Sequence, residues 1–98
     1  MPEGGPYWNT LGFVQYRNDR WEEAVATLHR AAELNKGTEP TDFVFLAMAQ
    51  WKLRHKTEAE EAYQRWSQTV GKHPTSDQRL LWAEAASLMG KAGPPPER

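Results

Sequence analysis

Within each stretch of this chain the apolar residues stand three and four positions apart and never two, which excludes strands and predicts helices. Five are expected. Pro6 suits a first helical turn, and helix one runs from about Tyr7 to Asn18. Asp19 and Glu22 have capping-box spacing ahead of helix two, which runs to about Lys36 and is stopped by Gly37. Pro40 opens helix three, which ends near Arg54. Thr57 and Glu60 repeat the capping-box spacing for helix four, which ends at Gly71, with Pro74 forbidding simple continuation. Thr75 and Gln78 cap helix five, and Gly90 stops it.

The pattern is also duplicated at an offset of 35 residues. Trp8-Asn9-Thr10-Leu11-Gly12 is answered by Phe43-Val44-Phe45-Leu46-Ala47, Tyr16 by Trp51, Ala24 by Ala59 and Leu28 by Tyr63. Large residues fall on large and small on small, apart from Trp21 on Lys56 and Ala31 on Trp66. A period of this length marks stacked helical hairpins. Gly12 with Ala24, and Ala47 with Ala59, are the small positions that let paired helices approach closely, flanked by Leu11, Leu28, Leu46 and Tyr63.

On these residues the chain resembles the tetratricopeptide repeat, whose pattern is W-x2-L-G-x2-Y, then A-x3-F-x2-A, then P. The first copy reads Trp8-x2-Leu11-Gly12 and Ala24-x3-Leu28-x2-Ala31; the second reads Phe43-x2-Leu46-Ala47 and Ala59-x3-Tyr63-x2-Trp66. The segment from Phe43 to Trp51 also looks like tetratricopeptide segments near the ends of large bacterial signalling proteins, including kinase and β-propeller fusions. The resemblance implies an all-α, right-handed stack of two hairpins, repeat one over about 5–38 and repeat two over about 40–73, with a capping helix over about 75–90. The single domain would span 7–90, between a flexible segment 1–6 and a disordered, Pro- and Gly-rich tail 91–98 that reads more as linker than as docking ligand. The chain departs from the pattern where the tyrosine position holds Gln15 and Gln50, with Tyr16 and Trp51 one residue later. The shift of about 100° turns those rings toward the groove.

In this family the first helix of each hairpin lines a concave groove. Asn9, Phe13, Tyr16 and Arg17 share one face of helix one, and Val44, Met48, Trp51 and Lys52 hold the matching positions of helix three. They would form an aromatic, Met-rich trough with a basic edge, although aromatic stripes also serve to pack hairpins together. The family's clamp for a terminal carboxylate is incomplete: Asn9 is in place, but Phe13 and Met48 are apolar where polar contacts are needed. The expected function is therefore a non-catalytic protein–protein interaction module for an apolar or mixed peptide, or for a neighbouring domain. The alternative is a structural element that assembles copies through apolar end faces, with Trp8, Trp66 and Trp82 available to bridge them.

Charge and composition narrow the remainder. The net charge is −1, with no basic stripe for nucleic acid, and no apolar run approaches the ~20 residues that cross a bilayer. The opening Met-Pro-Glu-Gly-Gly-Pro has neither the basic nor the apolar region of a signal peptide, and cysteine is absent, so a cytoplasmic location is expected. His29, His55 and His73 lack the close spacing of a zinc site, and the acidic runs Glu22-Glu23 and Glu58-x-Glu60-Glu61 suit helix starts rather than acid–base chemistry. No enzyme, cofactor or metal site is expected. Trp66, which stands where the first copy has Ala31, is expected to be buried against Ala83, Ala85 and Ala86 of helix five.

Overall fold

The computed structural model describes residues 5–95, with side chains from Tyr7 onward. Within them the chain is all-helical: α1 (Gly5–Arg17), α2 (Trp21–Leu34), α3 (Pro40–Lys52), α4 (Lys56–Val70) and α5 (Ser76–Met89). Of the segments expected to be disordered, residues 1–4 and 96–98 lie outside the described residues, while Gly5 and Pro6 belong to the first turn of α1. None of the helices is long and apolar enough to cross a membrane.

The hairpins α1/α2 and α3/α4 share one turn, reproduced at the 35-residue offset. Asp19 and Arg54 both take left-handed backbone, at φ 62° and 67°. Next to them the Arg20 and His55 amides donate to Gln15 O and Gln50 O, each at 2.9 Å. This turn decides where the second helices begin, and it displaces the expected caps. The N-caps are Arg20 and His55, neither with a side-chain capping bond. Asp19 falls one residue too early to cap α2, and Thr57 lies inside α4. The third expected cap forms in full: Thr75 Oγ1 accepts from the Gln78 amide at 3.1 Å, and Gln78 Oε1 accepts from the Thr75 amide at 2.8 Å. Gly90 supplies the left-handed stop of α5, at φ 71°, but α2 closes at Leu34, earlier than expected, and its first left-handed residue is Lys36, at φ 55°, with Gly37 following at 72°.

The centre of the molecule is α3. Every residue from Asp42 to Gln50 is buried, which a helix achieves only when neighbours surround it. Those neighbours are α4, α2, α5 and α1. The duplicated small positions explain the close approach inside the hairpins. A Cβ on Gly12 would stand 2.6 Å from Leu28 Cγ and Cδ2, so the first hairpin admits only glycine there without rearrangement. Ala24, Ala47 and Ala59 are fully buried.

Helix α5 seals the far side with Trp82, Ala85, Ala86 and Met89, while Leu81 and Leu88 are only partly buried. Trp66 is 0% exposed, in the same apolar cluster as Ala85 and Ala86; Ala83 is exposed and takes no part. The Trp66 ring meets Trp82 edge-on at 5.8 Å and 73°. Trp82 Nε1 donates to the Tyr63 hydroxyl at 2.9 Å, whereas Trp66 Nε1 has no acceptor. Burial of Trp66 and Trp82 removes both from any face that could bridge copies; Trp8 is half-buried. Beyond α5, Lys91 reaches Glu60 at 2.5 Å and Arg79 Nη1 donates to Pro95 O at 2.9 Å, so the chain turns back along α5.

Candidate functional site

Three of the four site residues expected on α1, Phe13, Tyr16 and Arg17, gather around a ring that was not among the expected site residues, Phe45. Phe13 stacks on Phe45 with centroids 4.3 Å apart and planes at 24°, and Tyr16 meets the same ring edge-on at 5.6 Å. The Arg17 guanidinium lies 5.3 Å from the Phe45 centroid. It also grips Glu84 of α5 with two hydrogen bonds, at 2.5 and 2.9 Å. Arg17 is thus engaged by its own fold, and Phe45 is left 4% exposed. Burial, and next the nearby Glu84 carboxylate, push the Tyr16 phenol up to about 12.

The matching residues on α3 do not extend this surface. Val44 and Met48 are 0% exposed, because α3 is enclosed on sides where α1 is open. Trp51 packs partly buried against Ala47, Ala59 and Met89, under the Lys56 ammonium at 5.7 Å. Lys52 lies 5.5 Å over the Trp21 ring. Asn9 is buried, and its Nδ2 donates to Asp42 Oδ1. The eight residues therefore split into a cluster of Phe13, Tyr16 and Arg17 on α1, Asn9 buried against Asp42, and three separate environments on α3; they do not line one trough.

Asp42 was not legible as anything but a helix-start acid. It is fully buried, accepts from Asn9 on α1 and from Asn35 Nδ2 at the end of α2 at 3.3 Å, and so joins three helices. Burial pushes its carboxyl up to about 6, against the lowering effect of the two carboxamides.

An open concavity lies on another side, between α2 and α4. It is a cleft of about 650 Å³, within the range of ligand pockets. Phe43, Leu46 and Gln50 of α3 form its floor. His29, Ala32 and Glu33 face in from α2 and Lys36 from the turn after it, and Glu58, Glu61, Ala62 and Arg65 from α4. Arg65 holds its guanidinium 4.9 Å over the Phe43 ring. His55 Nδ1 pairs with Gln50 Oε1 at 2.7 Å, and His29 and His73 are exposed. The 35-residue offset did not point to this cleft, since it sets Ala32 on Ser67 and Thr27 on Ala62.

Comparison with protein-family models, curated proteins and solved structures found no match.

Proposed function

We propose that this chain is a non-catalytic protein-interaction module of tetratricopeptide-like architecture, which holds a short segment of a partner protein in the cleft between α2 and α4. The cleft itself carries the reading: about 650 Å³ with an apolar floor and charged side chains on both walls. Sites for peptides combine an apolar base with a few polar groups in this way. The α1 face is the weaker candidate, because Arg17 is held by Glu84 and Val44 and Met48 have no exposed surface. A reducing, cytoplasmic setting belongs to this reading on the absence of cysteine. Selection of a random-peptide library on the folded chain tests it. Enriched peptides should bind the wild type and fail to bind Ala62→Trp, in which an indole fills the cleft. Enriched peptides that bind both equally would refute the assignment.

A second reading, an assembly element, has its own observation. Tyr7 and Val14 are 45% and 50% exposed, and with Leu11 between them they form a stripe along α1. Thirty-five residues on, Asp42, Leu46 and Ala49 are all buried. The stripe would accept another hairpin. Sedimentation velocity across a concentration range decides: association abolished by Val14→Glu supports assembly, and a monomer at every concentration rejects it.

A further inference from the structure

We infer that the occupant of the α2–α4 cleft is an amphipathic helix that places an acidic residue near its start against Lys36 and Arg65 and a basic residue two turns later against Glu58 and Glu61. The inference rests on the cleft being the docking site.

The cleft is electrically polarised along its length. Its floor runs from Phe43 to Gln50, the direction of α3. Arg65 stands over Phe43 and beside Gly37, at the close of α2, so Lys36 and Arg65 mark one end. Gln50 is bonded to His55 at the start of α4, so Glu58 marks the other end, with Glu61 one turn inward. Glu33 also lines the α2 wall, one turn before Lys36, but is paired with Arg30 at 3.5 Å, whereas Lys36, Glu58, Glu61 and Arg65 have no ion pair among the described residues. With Glu33 taken up by Arg30, two unpaired cations at one end and two unpaired carboxylates at the other ask for the opposite order in an occupant. Seven residues separate Glu58 from Arg65, about 10.5 Å of helix rise, which sets the spacing at two turns.

The walls select a helix over an extended segment. Both belong to helices whose backbone groups are already bonded, so a strand would lay its N–H and C=O groups against Ala32, Ala62 and Leu46 without partners. A helix carries its own bonds, and the two alanines let it sink between the walls. An acidic start and a basic end also suit the occupant's own dipole. In that order it runs antiparallel to α4.

Two hydrocarbon-stapled peptides of about 15 residues test the inference. One carries Glu near its start, Leu and Ala along one face, and Lys seven residues later; its twin has Glu and Lys exchanged. Fluorescence anisotropy at low salt should show the first binding at least about tenfold more tightly. The preference should invert in the chain carrying Lys36→Glu, Glu58→Lys, Glu61→Lys and Arg65→Glu, with circular dichroism confirming its fold. Equal binding of both peptides, abolished by Ala62→Trp, would overturn the charge order while the cleft stands. Binding of neither peptide would overturn both.

Discussion

Asn9 on α1 donates a hydrogen bond to the carboxylate of Asp42 on α3, a side chain with no exposed surface. With Asn35 completing the set, the residue expected to greet a partner instead ties the two hairpins together.

A pH dependence follows from this junction. The Asp42 carboxyl is raised from 3.8 to about 6, so the folded state holds the proton more tightly than the unfolded chain. Its contribution to stability is fully present below 3.8 and is lost as pH rises through about 6. From pH 7 to pH 5 the wild type should gain on the order of 1 kcal/mol relative to Asp42→Asn, measured by denaturant unfolding of both. A constant difference between them across that range would contradict the burial of a titrating carboxyl.

Gly12→Ala should destabilise the protein by about 1–3 kcal/mol, although alanine favours helix by about 1 kcal/mol. The added methyl meets Leu28 at 2.6 Å, and Leu28 is fully buried and cannot swing aside. The double variant Gly12→Ala/Leu28→Ala should cost less than the sum of its parts, since each alteration makes room for the other. Additive losses in chemical denaturation would contradict the contact.

Trp66→Ala should cost roughly 3–5 kcal/mol by opening a cavity beside Trp82. Trp66→Phe should cost much less, because the indole N–H has no acceptor and no hydrogen bond is lost with it. Tyr63→Phe provides the contrast: it strips the Trp82 N–H of its partner at 2.9 Å, a loss of about 1–3 kcal/mol. Thermal unfolding of the three variants checks the order, and a Trp66→Ala variant as stable as the wild type would exclude a structural role for the ring.

The helices were legible because their signals are local. Apolar spacing, Pro40, Gly90 and the Thr75–Gln78 pair each act within one turn. The Asp19 and Thr57 caps were not legible correctly, since the left-handed residues at Asp19 and Arg54 fix the helix starts, and Arg54 is not a residue whose chemistry announces that backbone. The binding face was the hardest to read. A repeat offset equates Phe13 with Met48 and Asn9 with Val44, but exposure depends on what packs beyond the repeat. Here α5 encloses α3, reaches Arg17 through Glu84, and leaves Phe45 rather than Met48 beside Phe13.

Chemical-shift mapping of a library-selected peptide on the isotopically labelled chain tests the cleft most directly. Amide shifts should concentrate on α2 and α4, at Ala32, Lys36, Ala62 and Arg65, and Phe13→Ala should leave affinity within about twofold of the wild type. Shifts centred on Phe13, Arg17 and Glu84, with affinity lost in Phe13→Ala, would place docking on the α1 face and contradict the cleft.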